Sequence, residues 1–264
     1  MTQRWRLIDT GPGSASYNMA LDEAIALSVR RQLVPPTLRF YGWSRSSLSL
    51  GRFQRSDDLD LAFCSANGIP MVRRPTGGRA ILHGDELTYS VSVRTDLPPF
   101  ANGLFESYRS ISIAFIRGFA KLGISVAAKE QKERGRTLTR SPLCFQSSSY
   151  GEILVGNRKI VGSAQKRWRE GLLQQGSIPY ACDTDTMQHV FSIAGSGREH
   201  DGMAALRAIK PEIDDAALKG ALAAAFEEVF DISLPASHPS PEESRLAEEL
   251  EAQKYLRESW NLRR

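Results

Sequence analysis

The sequence predicts an α+β fold built on a mixed β-sheet, and three observations predict it. Strand-like and helix-like stretches alternate along the 264 residues without a regular βαβ rhythm, which disfavours a doubly wound parallel sheet. Leu87-Thr88-Tyr89-Ser90-Val91-Ser92-Val93 carries the period-two alternation of a strand. Leu104, Tyr108, Ile111, Phe115, Phe119 and Leu122 recur at helical spacing, so a long helix would lay one apolar face on that sheet. One domain is expected over residues 1–264, with 214–264 as C-terminal helices, no separate accessory domain, and no internal repeat.

Taken in order, Arg6-Leu7-Ile8 reads as a first strand. Residues 11–16 read as a loop into a helix from about Asn18 to Gln32 that Pro35-Pro36 stops. Thr37-Leu38-Arg39-Phe40-Tyr41 and Leu48-Ser49-Leu50 are short strands. Ser56, with Asp57 and Asp58 after it, supplies an N-cap and an acidic first turn for a helix. Met71-Val72-Arg73, Ala80-Ile81-Leu82 and the 87–93 run return to strand. From Lys129 to Pro142 the chain is polar and aperiodic, a long loop leading to Cys144. Glu152 to Val155 and Arg158 to Val161 form a hairpin across Gly156-Asn157, a pair suited to a two-residue turn, which sets Lys159 on a strand just past it. Leu172 to Ile178 is another strand. Helical patterns then run from Asp214 to Phe230 and from Pro241 to Trp260, broken by Ser233 to Pro241.

Composition excludes several classes. No run approaches the roughly 20 apolar residues of a membrane span, and the N-terminus lacks the apolar core of a signal peptide, so a cytoplasmic location is expected. Three widely spaced cysteines, Cys64, Cys144 and Cys182, argue against a disulfide framework and a zinc site. No metal-ligand spacing occurs. The formal charge of +4 owes much to a basic run from Lys129 to Arg140, which no nucleic-acid motif accompanies. A solvated loop explains that run, and an acidic protein partner would also suit it.

The most informative segment is Arg73-Arg74-Pro75-Thr76-Gly77-Gly78-Arg79-Ala80-Ile81-Leu82-His83. Paired glycines allow left-handed dihedrals and close approach of backbone to a ligand. By spacing alone it is equally a tight strand–strand turn with a basic flank. It is neither a nucleotide P-loop nor the three-glycine dinucleotide fingerprint. Arg73 and Arg74 suit a phosphate or carboxylate, since a guanidinium binds either bidentately. His83 would donate a hydrogen bond to a ligand or be a satisfied structural histidine. Gly77, Gly78 and Gly162 would bring backbone N–H groups close to a ligand, or serve turn geometry alone.

Three blocks stand in order: Arg73 to His83, Glu86-Leu87-Thr88-Tyr89-Ser90, and Arg158-Lys159-Ile160-Val161-Gly162-Ser163-Ala164-Gln165. With Asn18 to Glu23 before them and Leu173 to Ile178 after, they resemble the biotin/lipoate protein ligase and octanoyltransferase superfamily up to about residue 180. The resemblance implies a central mixed β-sheet flanked by helices. Cys144-Phe145 matches the Cys-Phe pair that carries the acyl group in octanoyltransferases similar to ATP-dependent lipoate ligases. Lys159 matches the family's active-site lysine. Arg73, Arg74, Thr76, Gly77, Gly78, His83, Gly162, Ser163 and Ala164 match its substrate-binding blocks.

A thiol must be a thiolate to attack, and an ammonium about 4 Å away contributes roughly 4 kcal/mol at an effective dielectric near 20. Lys159 would supply that cation to Cys144. The implied activity is octanoyl transfer from octanoyl-acyl carrier protein, whose phosphopantetheine arm carries a phosphate, through a Cys144 thioester. The acceptor is a specific lysine of a lipoyl domain of a 2-oxoacid dehydrogenase, or of the glycine-cleavage H protein. No ATP, metal or other cofactor is expected. An ATP-dependent lipoate-protein ligase, an amidotransferase moving octanoyl from H protein to lipoyl domains, and a carrier-binding module without turnover are the other readings.

Overall fold

The computed structural model describes residues 2–57, 59–129, 152–191 and 202–263. Its strands are β1 (Gln3–Arg4), β2 (Arg6–Gly13), β3 (Thr37–Trp43), β4 (Ser47–Leu50), β5 (Met71–Arg73), β6 (Ile81–His83), β7 (Glu86–Arg94), β8 (Ala127–Ala128), β9 (Ile153–Val155), β10 (Arg158–Arg167), β11 (Gly171–Pro179), β12 (Ile232–Ser233) and β13 (Ala236–Ser237). Its helices are α1 (Ala15–Arg30), α2 (Leu61–Ala66), α3 (Leu104–Lys121), α4 (Thr184–Val190), α5 (Leu206–Ile209), α6 (Asp215–Phe230), α7 (Pro241–Leu250) and α8 (Glu258–Asn261). A π-helical turn, Glu251–Tyr255, follows α7.

Eight strands form a mixed sheet in the order β13-β2-β3-β7-β11-β10-β9-β8, parallel from β13 to β3 and antiparallel beyond. The expected α+β architecture is thus observed. On one face lie α3 and α6. The apolar stripe of α3 packs there as its spacing demands, with Phe115 at 4.4 Å from Tyr89 and edge-on to Phe226 at 5.5 Å. Such aromatic pairs add roughly 0.5–1.5 kcal/mol each beyond their burial. The other face carries α1, itself covered by α7. A smaller sheet, β5-β4-β6, packs against α2 and α4 through Leu48, Leu50, Cys64, Met187 and Val190. No helix among the described residues is long and apolar enough to cross a membrane.

Both faces of β7 are buried, so its alternation separates two interiors rather than interior from solvent. Leu87, Tyr89, Val91 and Val93 meet α3 and α6. Thr88 and Ser90 lie beneath the α1 side, where Ser90 donates to Asp22. The 152–161 hairpin forms as expected, with Gly156 at φ 57° in its turn.

Other elements differ from expectation. Helix α1 starts earlier, capped by Ser14, and ends at Arg30, where Gln32 at φ 60° turns the chain before Pro35-Pro36 is reached. The helix expected after Ser56 begins five residues later. Asp60 caps it because its carboxylate accepts from the Phe63 amide at 2.7 Å, while Ser56 instead accepts the Leu59 amide in a turn. The stretch 214–264, expected as helices, also supplies strands. Two-residue strands β12 and β13 pair in parallel with β1 and β2, too short to show a period. The long loop expected from Lys129 lies, beyond that residue, outside the described residues.

Candidate active site

The two sheets enclose a cleft. The α1-side face of β3, β7, β11 and β10 forms one wall, through Tyr41, Trp43, Thr88, Gln175, Ser177, Gly162 and Ala164; Ser49, Arg74, Ile81 and His83 of the small-sheet region form the other, and Met19 of α1 closes it. The space free inside is about 20 Å³, little more than one water needs, so an acyl chain enters only if side chains give way. Met19 has the flexibility to do so. Through a shared wall of Ile81, His83 and Ser177 the cleft adjoins a larger cavity of about 320 Å³ lined by Leu82, Asp85, Glu86, Pro179, Cys182, Met187 and Met203.

Sequence-distant blocks meet here. A methyl built on Gly78 would stand 3.5 Å from that of Ala164 and 2.7 Å from the Arg74 guanidinium, and Gly78 itself has φ 86°. Gly78 therefore needs to be glycine. Gly77 does not on this ground, because a methyl there meets nothing within 4 Å. Thr76 donates from Oγ1 to Gln175 Oε1 at 2.8 Å and pins the turn to β11. Ser163 faces the other way, its hydroxyl 2.8 Å from that of Tyr89, and Gly162 pairs with Ser177 across the sheet.

The two arginines, expected to meet an anion, are hydrogen-bonded to the chain itself in this structure. Arg73 is fully buried and donates to the backbone carbonyls of Gly51, Gln54, Trp260, Asn261 and Arg263, which ties the C-terminal segment to the loop. Arg74 donates to the carbonyls of Ser49, Gly77 and Arg79 and so holds the glycine turn from inside. Their donors are engaged with the chain itself, which makes Arg73 a structural pin and Arg74 a brace at the cleft wall.

His83 is 5% exposed, stacked on Trp43 at 3.9 Å, with Nε2 2.7 Å from Ser49 Oγ and Nδ1 2.8 Å from Glu86 Oε1. Glu86 also accepts from Thr88 and from Trp43 Nε1. Burial pushes the Glu86 carboxyl up, but the charge and hydrogen bond of His83, with that of Thr88, outweigh it and hold the group below its usual range. Glu86 opens the second motif block, but no role followed for it from sequence; its place three residues after His83 was visible, its contact was not. Asp22 and Gln175 likewise stood in the matching stretches without a role, and Trp43, Ser49 and Gly51 were not expected as site residues. A methyl on Gly51 would fall 1.8 Å from the Gly78 carbonyl oxygen, a closeness no sequence period reports.

Lys159 sits second on β10, 1% exposed, ion-paired with the buried Glu152. Its amide donates to the Gly202 carbonyl at 2.7 Å, beside Met203 of the larger cavity. Cys144 lies outside the described residues. The residues flanking its segment are joined, the Lys129 amide donating to the Glu152 carbonyl at 2.9 Å. Both described cysteines are poor nucleophiles: burial pushes the Cys182 thiol to about 11, with help from Glu86, and burial followed by Asp60 raises that of Cys64.

Comparison with known proteins agrees with this geometry. Residues 14–227 match the family model of the lipoyl protein ligase A/B catalytic domain. The chain is 41% identical to Octanoyltransferase LipM of Kyrpidia tusciae, over 99% of this chain and 100% of that one. It is 37% identical to the Symbiobacterium thermophilum protein of the same name, over the full length of both. Among solved structures it resembles lipoate-protein ligase A bound with ATP, at 26% identity and TM-score 0.81, and a T. acidophilum protein with bound lipoic acid, at 26% and 0.80; each likeness covers 99% of both chains. The blocks that meet across the cleft are thus those of a shared catalytic scaffold, and the chain belongs to the lipoyl protein ligase A/B catalytic domain family.

Proposed function

We propose that this chain is an acyltransferase of lipoate biosynthesis that moves an octanoyl group from octanoyl-acyl carrier protein to a lysine of a lipoyl domain or of the glycine-cleavage H protein. The observation that carries the reading is the end-to-end similarity to octanoyltransferases, together with an apolar cleft framed by the Gly78 turn and the Gly162–Ala164 strand. We read the chain as one catalytic domain acting in the cytoplasm.

In this reading the Cys144 thiolate attacks the thioester carbonyl of the donor. The carbon–sulfur bond to the carrier's arm breaks, and its thiol leaves with a proton. The acceptor amine then attacks the Cys144 thioester, an amide forms, and the Cys144 thiolate is regenerated. Lys159 carries the protons, and its pairing with Glu152 means that its charge is shared rather than wholly available to the thiolate. Ser49 and His83 form a polar strip in the wall of the cleft that the acyl chain would enter.

Intact-mass analysis tests the route. After incubation with octanoyl-acyl carrier protein and no acceptor, the wild-type protein should gain one octanoyl group, mapped by peptide digestion to Cys144. Cys144→Ala should lose both adduct and transfer while keeping the wild-type melting temperature. Near-wild-type transfer by that variant would rule out the covalent route.

A further inference from the structure

A cluster of cations lies at the opposite end of β10 from Lys159. Around the Trp260 ring stand the Lys254 ammonium and the Arg263 guanidinium, each 4.0 Å from its centroid, and the Arg52 guanidinium at 5.4 Å. Lys166 of β10 belongs to the same group. Burial first, then the charges of Arg52 and Lys254, push its ammonium down to about 8. Lys254 has the carboxylate of Glu23. Among the described residues, Arg52, Lys166 and Arg263 have no ion-pair partner and rest instead on aromatic faces. Beside Arg52 stands Phe53, 84% exposed. Half-buried cations with no salt bridge of their own, next to an exposed aromatic ring, form the complement of an acidic protein surface with an apolar spot.

Position decides which partner fits. Lys166 lies seven residues along β10 from Lys159, and a strand rises about 3.3 Å per residue, so the two ends are on the order of 20 Å apart. An acceptor lysine, a few ångströms long, has to be presented by a domain seated at the reacting carbon. A partner bound around Trp260 can reach that point only with a reactive group on a long arm. Resting on the acyl-transfer reading above, we infer that the rim of Arg52, Phe53, Lys166 and Arg263 docks the acidic face of the carrier protein that donates the acyl thioester, and that its free cations also take the phosphodiester at the base of the carrier's arm.

The test compares two donors in Arg52→Glu, Lys166→Glu and the fold-neutral Phe53→Ala. With octanoyl-carrier protein the KM should rise about tenfold and lose much of its salt dependence, while kcat/KM for octanoyl-pantetheine, which lacks both carrier and phosphate, stays within about twofold. Equal losses with both donors, no change with either, or a raised KM for the acceptor domain in place of the donor would each overturn the docking assignment. A wild-type enzyme inactive with octanoyl-pantetheine and octanoyl-carrier protein alike would instead sink the acyl-transfer reading beneath it.

Discussion

Two buried carboxylates, Asp22 and Glu86, organise the cleft. Asp22 is wholly buried and accepts from Arg39, Tyr41, Ser90 and Gln175, all within 2.8 Å. Gln175 in turn accepts from Thr76, so a chain of hydrogen bonds runs from α1 to the glycine turn. A buried ion pair such as Asp22–Arg39 adds little net stability against two apolar residues, but losing one partner leaves a charge uncompensated. Its value here is position. Glu86 does the same for His83, and its depressed pKa gives a pH signature. An unfolded glutamate titrates near about 4.3. Because the folded group titrates lower, its contribution is full above that value and is lost as pH falls through the folded pKa. Glu86→Gln should therefore be less stable than wild type at pH 7, and the gap should narrow as pH drops below about 4. Urea midpoints at both pH values measure it; a gap independent of pH would show that the Glu86 charge does not hold the cleft.

The glycine turn is the element on which most rests. Gly51, Gly77 and Gly78 look alike in sequence, yet their surroundings separate them. Gly78→Ala meets a left-handed backbone and the Arg74 guanidinium, for a cost of about 1–3 kcal/mol, and should lower kcat/KM as the turn shifts. Gly51→Ala should be worse, since backbone rather than a side-chain tip lies in the way. Gly77→Ala should leave melting temperature and acyl transfer near wild type. Equal damage at Gly77 would indicate that its backbone meets substrate more closely than its free surroundings allow.

This contrast marks how far the sequence was legible. Period and turn chemistry located α3, β7, the 152–161 hairpin and β11, because each follows from local pattern. Strands β12 and β13 hold two residues apiece, and only their pairing with β1 and β2 defines them. The order of the motif blocks singled out the glycine turn, whose Arg74 brace lines the cleft, and Lys159, whose role is a proposal. Roles were harder: Arg73 reads as an anion ligand in a one-dimensional chain, whereas in space the carbonyls of Gly51 and Trp260 surround it. Residue type sets what a guanidinium can bind, and packing sets what it meets.

At the scale of the molecule, a mixed sheet carries the cleft in its centre, Lys159 near one end of β10 and a basic rim toward the other. The same scaffold is similar both to octanoyltransferases and to a lipoate-protein ligase bound with ATP. Energy source separates the two chemistries. A thioester donor is already activated and its conversion to an amide runs downhill, whereas free lipoate needs adenylation first. The most direct measurement sets the two donors side by side against one lipoyl-domain acceptor. Octanoyl-acyl carrier protein should give octanoylated acceptor without ATP or magnesium, and free lipoate should give little product even with both. Robust ATP-dependent attachment of free lipoate, with none from the carrier thioester, would contradict the octanoyltransferase account.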